Sequence, residues 1–171
     1  MKMRTAYIGL GANLPSPAGP PEATLAAAIS RLGSLGRITA KSSLYSTAPV
    51  GYAAQPQFVN AVVALETQLE ARALLDALMA IERDFGRDRE NAIPNGPRPL
   101  DLDILLLGDL RVNEPGLEIP HPRLAERAFV LVPLNEIAPE AIDPRSGATV
   151  AELFRVLPID PTKVNKIVYN L

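Results

Sequence analysis

The sequence predicts an α+β sandwich of β-α-β-β-α-β order, and three observations carry that reading. Two stretches with apolar residues at helical spacing are each flanked by alternating or β-branched runs. The second and third of those runs follow one another without a helix between them, which disfavours an open, doubly wound α/β sheet. Proline gathers at the junctions, in PSPAGPP (15–21), PNGPRP (94–99) and IPHPR (119–123), instead of spreading as it does in a disordered linker.

TAYIGLGA (5–12) reads as a strand that exits through glycines. PEATLAAAISRLGSLG reads as a helix opened by Pro20 and Pro21 and closed by Gly33 or Gly36, since proline fits the first turn and glycine the end. RITAKSSLYST (37–47) alternates apolar and polar residues and QFVNAVVALET (57–67) is rich in valine, so both are strands. EARALLDALMAIERDFG is a second helix, with Leu74, Leu75, Leu78, Ile81 and Phe85 as its stripe and Gly86 as its stop. PLDLDILLLG (99–108) is a further strand. Leu105, Leu106 and Leu107 prolong its apolar run, so a central place in the sheet is expected. AFVLVPLNEIAP is mixed in character, a short helix falls near TVAELFRVL, and the tail after Pro158 stays unassigned. This order is that of a ferredoxin-like sandwich, mainly antiparallel, with C-terminal additions.

The 171 residues suit one domain over 1–171 with its own core. A charge of −2 gives no overall basic footprint for nucleic acid, and the absence of cysteine removes disulfides, zinc thiolates and thiol nucleophiles. The early apolar run meets Asn13, Pro15 and Pro17 too soon for a signal peptide, and no stretch reaches the length of a membrane span. A cytoplasmic monomer with neither nucleic-acid nor membrane partners is expected.

Two aspartates interrupt the apolar run RPLDLDILLL (98–107). Alternation puts Asp101 and Asp103 on one face of the strand, with Leu100, Leu102 and Ile104 facing the core. Their Cα atoms should lie roughly 6–7 Å apart, and two-metal sites hold their ions about 3.5–4 Å apart, within reach of both side chains. Alone, the pair suits a solvated strand face as well as a metal site. Arg87, Arg89 and Arg98 are near in sequence. Carboxylates favour Mg²⁺ and guanidinium forks suit phosphate, so the combination points to phosphoryl or nucleotide-phosphate chemistry.

Other constellations are less specific. GLGAN (9–13) lacks the lysine and spacing of a phosphate loop and reads as a structural strand exit. Phe58 and Asn60 share a strand face, where an aromatic plate beside a carboxamide suits a flat heterocycle; taken alone, a core phenylalanine beside a turn-capping asparagine is the better reading. His121, the one histidine, lies between two prolines. Arg127 and Phe129, two apart, place a cation and a second plate on one face if that segment is a strand. Glu82 is either an exposed helix-face acid or one turned toward the arginines. No Ser-His-Asp order or H-E-x-x-H motif supports a hydrolase.

Together these segments resemble the 6-hydroxymethyl-7,8-dihydropterin pyrophosphokinase family of folate biosynthesis. The likeness is collinear from AYIGLGANL to FVLVPLNEIAP, and GPRPLDLDILLLG and IPHPRLAERAFVLVPL are its most specific parts. The resemblance implies transfer of the β,γ-diphosphate of ATP to the pterin hydroxymethyl group, leaving AMP, with two Mg²⁺ ions. It implies that Asp101 and Asp103 hold the metals and that Phe58 and Phe129 sandwich the pterin. Asn60 would bind that ring, with backbone groups around Thr47 and Val50. Arg87 and Arg98 would bind the ATP phosphates and assist transfer. His121, Arg127, Arg89 and Glu82 would serve the nucleotide side, and Gln55 would support the site. The chain departs from relatives in having no tryptophan before G-P-R, where Asn95 lies, and in having Pro122 and Glu90 where some relatives have tyrosine and a basic residue. The loops around 13–22, 47–57 and 87–97 are expected to close over the substrates. Two other classes stay open: another Mg-dependent nucleotidyl or phosphoryl transferase or phosphodiesterase, and a non-enzymatic ferredoxin-like binding module.

Overall fold

β1 (Arg4–Ala12) runs through the middle of an antiparallel sheet, paired with β4 (Phe58–Thr67) on one side and β5 (Asp101–Leu107) on the other. The computed structural model describes residues 2–48, 54–88, 90, 93, 94, 96–158 and 164–167. β2 (Arg37–Lys41) and β3 (Leu44–Thr47) both pair with β4, and β8 (Val164–Ile167) adds to β3. The sheet order β5-β1-β4-β3-β8 carries the ferredoxin-like core, extended at one side by part of the tail. β6 (Val112–Glu114) and β7 (Leu117–Ile119) form a separate hairpin.

The predicted second strand is one strand broken by a bulge. Lys41 lies opposite Val63 and Tyr45 opposite Asn60, so three residues, Ser42 to Leu44, face two on β4. Ser42 repairs the ladder: its amide donates to the Val62 carbonyl and its Oγ accepts from the Val62 amide, each at 2.9 Å.

Helices cover both faces. α1 (Pro21–Leu32) begins after Pro20 and ends at Gly33, as the proline and glycine signals predict. α2 (Ala71–Asp84) buries Leu74, Leu78 and Ile81. With α1 it packs Leu25, Leu32, Leu74 and Leu78 against Ile8, Leu10, Leu65 and Leu102. α3 (Ala128–Ile137) and α4 (Val150–Val156) cover the other face, where Val130, Leu131, Leu134 and Val150 meet Val62, Leu105 and Leu106. The segment AFVLVPLNEIAP, mixed in the sequence, is therefore helical: residues 130, 131, 133 and 134 are buried at helical spacing despite Pro133 inside the helix. A strand placement for Arg127 and Phe129 is overturned with it.

β5 is an edge strand, not a central one. Tyr7 pairs with Leu106 and Ile8 with Ile104, which leaves Leu105 as the extra residue of a bulge. Leu102, Ile104 and Leu107 then face the α1/α2 core, while Leu105 and Leu106 face the α3 core. The continuous apolar run reflects two covered faces and a bulge.

Leu78 is fully buried, whereas Val156 is 78% exposed. Leu78→Ala should destabilise the fold by about 2–5 kcal/mol and Val156→Ala by no more than about 0.5 kcal/mol. Chemical denaturation checks this as a lowered midpoint with an unchanged slope for Leu78→Ala alone.

Candidate active site

The strand β5 presents Asp101 and Asp103 on the face that also carries Leu105, beyond the end of the α3 core. Glu82 fixes the strand between them. It is 1% exposed, turned inward from α2, and its Oε2 accepts the Leu102 amide at 2.7 Å. α2 then stops at Phe85 and turns through Gly86, whose φ of +93° suits glycine. The Arg87 amide donates back to the Glu82 carbonyl at 3.0 Å. That turn sends the Arg87 side chain, 8% exposed, onto β5, where Nη1 donates to the Leu100 carbonyl at 2.9 Å and to Asp101 Oδ1 at 3.3 Å.

Arg98 is held from the opposite side by Asn13, just after β1. The Arg98 amide donates to Asn13 Oδ1 at 2.9 Å, and the Asn13 amide donates to the Arg98 carbonyl at 3.1 Å. Asn13 Nδ2 also donates to Gln55 Oε1 at 2.9 Å and to the Pro56 carbonyl at 3.0 Å. One buried carboxamide thus joins three loops around the site. Sequence reasoning missed Asn13, and gave Gln55 only a supporting role.

A pocket opens between these groups. Its walls include Gly11, Thr47, Phe58, Asn60, Arg98, Asp101, Arg127 and Phe129. Phe58 and Asn60 share a face of β4, as alternation requires, and Thr47 Oγ1 donates to Asn60 Oδ1. Asn60 Nδ2 contacts the Leu10 carbonyl at 3.4 Å. A Cβ on Gly11 would stand 2.8 Å from Asn60 Nδ2, so this glycine makes room for the amide rather than for a phosphate. Phe129 enters from the first turn of α3, and Arg127 is that helix's N-cap residue. The Arg98 guanidinium lies 5.0 Å from the Phe58 ring centre and that of Arg127 lies 5.3 Å from the Phe129 ring centre.

Negative charge is concentrated on the strand. Burial raises the Asp103 carboxyl above its usual range, and the neighbouring Asp101 and Glu82 raise it further, while Arg127 opposes them. A cation at the pair relieves that repulsion. Among the described residues no cluster of three or more histidine, cysteine, aspartate or glutamate side chains is arranged to hold a metal. The site therefore offers two hard oxygen groups, the number Mg²⁺ takes when waters and substrate phosphates complete its shell. The Nε atoms of Arg87 and Arg98 are buried with no hydrogen-bond partner among the described residues, as suits groups waiting for an anion.

A second hollow runs along the free edge of β5. Leu75 and Met79 of α2, Leu102, Asp103 and Ile104, Glu118 of β7, and His121 and Pro122 line it. The His121 amide donates to the Leu105 carbonyl at 3.0 Å, and Nδ1 accepts the Arg123 amide at 3.1 Å. Burial and the nearby Arg127 and Arg145 lower the His121 pKa to about 4, against the pull of Asp101. The ring is thus neutral at pH 7, with its proton on Nε2.

The structure brings Glu82, Arg87, Arg98, Asp101, Asp103, Thr47, Phe58, Asn60, His121, Arg127 and Phe129 to one region. Val50 and Arg89 lie outside the described residues, as do 49–53 of the segment 47–57 and 89, 91, 92 and 95 of the segment 87–97. Arg145 and Asp143 carried no local signal in the sequence. No helix among the described residues is long and apolar enough to cross a membrane.

A ferredoxin-like sandwich with a carboxylate pair, surrounding arginines and an aromatic pocket fits the class of enzymes that handle phosphate-like anions. The family model for 7,8-dihydro-6-hydroxymethylpterin-pyrophosphokinase matches residues 7–139. A 2-amino-4-hydroxy-6-hydroxymethyldihydropteridine pyrophosphokinase of Pseudomonas aeruginosa is 45% identical over 154 residues, 90% of this chain and 92% of that one. The protein of the same name from Methylorubrum extorquens is 40% identical over 167 residues, 96% of this chain and 99% of that one. Among solved structures, wild-type Plasmodium falciparum HPPK-DHPS superposes with a TM-score of 0.69 at 16% identity, which speaks for the fold. The match covers 90% of this chain and 44% of that longer one. The chain belongs to the 7,8-dihydro-6-hydroxymethylpterin-pyrophosphokinase family.

His121 is the one histidine, so its ring gives an unambiguous NMR signal. We expect it to titrate near 4 in the folded chain; a midpoint near 6.5 would contradict the site's electrostatics. Because the folded-state value is lowered, the unfolded chain binds the proton more readily. The histidine's contribution to stability is full above pH 6.5 and is lost as pH falls toward 4.

Proposed function

We propose that the two hollows hold the two substrates of one reaction and that Asp101 and Asp103 stand where they meet. The chain is an ATP-dependent pyrophosphokinase: it transfers the β,γ-diphosphate of ATP to 6-hydroxymethyl-7,8-dihydropterin in folate biosynthesis. The observation that carries the assignment of residues is the division of the acid pair. Asp101 lines the aromatic pocket and Asp103 lines the edge groove.

The pterin enters the aromatic pocket. Phe58 and Phe129 stack on its faces, and the Asn60 carboxamide, oriented by Thr47, hydrogen-bonds its edge. Backbone groups around Thr47 and Val50 are assigned to the same ring. The adenosine lies in the groove against Leu75 and Met79, and the phosphates run toward β5. Arg87, Arg98 and Arg127 meet them, with Arg89 and the neutral His121 as further donors. Glu82 acts through the strand it holds.

The hydroxymethyl oxygen forms a bond to the β-phosphorus, the bond from that phosphorus to the α–β bridging oxygen breaks, and AMP leaves. The hydroxyl proton passes to solvent, since no side chain among the described residues is placed as a general base. Arg87, Arg98 and Arg127 neutralise the transferring group and align it. Asp101 and Asp103 would hold two Mg²⁺ ions, which when bound would supply charge neutralisation and lower the pKa of the attacking hydroxyl. We place 1–171 as one pyrophosphokinase domain that works as a monomer in the cytoplasm.

Mass detection of products from ATP, Mg²⁺ and the reduced hydroxymethylpterin should give AMP and the pterin diphosphate; ADP, or released pyrophosphate, would sink the reading. Asp101→Ala and Asp103→Ala should each lower kcat by at least about 100-fold, as loss of a group that stabilises the transition state does. Pterin binding, followed by fluorescence, should survive both. Phe58→Ala should weaken pterin binding by about 0.5–1.5 kcal/mol beyond the lost apolar contact. Unchanged pterin affinity there would remove the stacking role.

A further inference from the structure

The loop that carries His121 is held from behind by a part of the chain that takes no direct part in the reading above. α4 opens with a capping box: Thr149 Oγ1 accepts the Glu152 amide at 3.1 Å, and Glu152 Oε1 accepts the Thr149 amide at 3.0 Å. The segment before it closes as a tight bridge between Ile142 and Thr149. Inside that bridge Asp143 is 3% exposed. Its Oδ1 accepts the Arg145 amide at 2.9 Å and lies 3.4 Å from Arg145 Nε. The Asp143 amide donates to the Ala148 carbonyl at 2.9 Å, and its carbonyl accepts from Gly147 at 2.8 Å. Arg145 is therefore fixed at its backbone and at its guanidinium.

That guanidinium points at the active-site loop. Arg145 Nη2 donates to the His121 carbonyl at 3.0 Å. The same carbonyl accepts the Leu124 amide at 3.1 Å, while the His121 amide is bound to Leu105 of β5 at 3.0 Å. His121 thus hangs between the strand that bears Asp101 and Asp103 and a guanidinium braced by a buried carboxylate. A planar guanidinium that binds Asp143 through one N–H and a carbonyl through another fixes direction as well as distance.

We infer that Arg145, braced by Asp143, is a positioning residue for the nucleotide side of the site: it sets the His121 backbone, and through it the imidazole that lines the edge groove. This rests on the assignment of that groove to the nucleotide. It predicts an asymmetric defect. Loss of Arg145 disturbs the ATP site and leaves the pterin pocket, built from β1, β3, β4, Arg98, Asp101 of β5 and the start of α3, as it was.

The test compares the full-length chain with Arg145→Met, Arg145→Lys and Asp143→Asn, with exposed Arg155→Met as control. We expect Arg145→Met to raise the KM for ATP about tenfold, in keeping with the cost of small misplacements. The KM for the pterin should stay within about twofold, well inside the effect expected from a pocket that keeps its contacts. Arg145→Lys keeps one charged donor and should fall between Arg145→Met and the parent chain; Asp143→Asn should move in the same direction. The ring signals of the one histidine should shift in Arg145→Met and stay in place in Arg155→Met. An unchanged KM for ATP with unmoved histidine signals would overturn the inference. So would an equal rise in both KM values with a lowered melting temperature, which marks a loop that only supports the fold. Should Arg145→Met fail to fold, Arg145→Lys decides by the same two readouts. A parent chain that makes no pterin diphosphate would instead refute the functional reading, before any variant is compared.

Discussion

The carboxylate of Glu82 bound to the Leu102 amide is the interaction on which the site is built. An edge strand exposes backbone groups that another strand would normally satisfy. Here that edge is closed group by group: Glu82 takes the Leu102 N–H, Arg87 reaches the Leu100 carbonyl, and the His121 N–H reaches the Leu105 carbonyl. A further strand would satisfy the same groups and fill the groove. Closing the edge with side chains leaves the space beside β5 open and makes the groups that do so part of the site. The bond has an electrostatic consequence as well. The buried Glu82 carboxylate next to Asp101 and Asp103 raises the proton affinity of Asp103 and deepens the demand for a cation.

The second constraint is that β5 must serve two cores and a polar site with seven residues. Strict alternation would put Leu102, Ile104 and Leu106 on the α1/α2 face and leave Leu105 and Leu107 on the face of the acids. The bulge at Leu105 changes the ration: two successive leucines turn to the α3 core, and Leu107 returns to the first. The acids occupy the part of that face beyond the buried α3 core, where Arg127 and Phe129 begin the helix. The start of α3 therefore places a cation and an aromatic plate beside the acids, while its later turns seal the sheet.

Whatever rests on short-range period was legible in the sequence. The shared face of Asp101 and Asp103, the shared face of Phe58 and Asn60, the stripe of α2 and the proline and glycine limits of α1 all follow from spacing within one element. The place of β5 in the sheet was not, because LDILLL is the same string for a central strand and for a bulged edge strand covered on both faces. The nature of 128–139 was masked by valines and a proline inside a helix that is apolar enough to be buried. Asn13 and Arg145 were invisible for a different reason. Each acts through hydrogen bonds to backbone far along the chain, Asn13 to Arg98 and Arg145 to His121. Nothing local distinguishes an asparagine or an arginine that does this. The family resemblance supplied expected roles for substrate-side residues and a supporting one for Gln55; it was silent on Asn13 and Arg145.

Edge position also bears on the direction of the chemistry. Displacement at phosphorus places the attacking and leaving oxygens roughly in line, on opposite sides of the transferred group. A central strand would separate two sites by its neighbours. An edge strand lets one site lie on its face and the other along its rim, with consecutive acids of the same face serving one each. On the assignment above, the pterin hydroxyl approaches from the aromatic pocket by Asp101 and AMP departs toward the groove by Asp103. The arginines span the boundary: Arg87 reaches the strand at Asp101, and Arg98 and Arg127 lean over the two rings. The strand's two-residue period thus does more than pair two carboxylates. On that assignment it also spaces them across the line along which the diphosphate would travel.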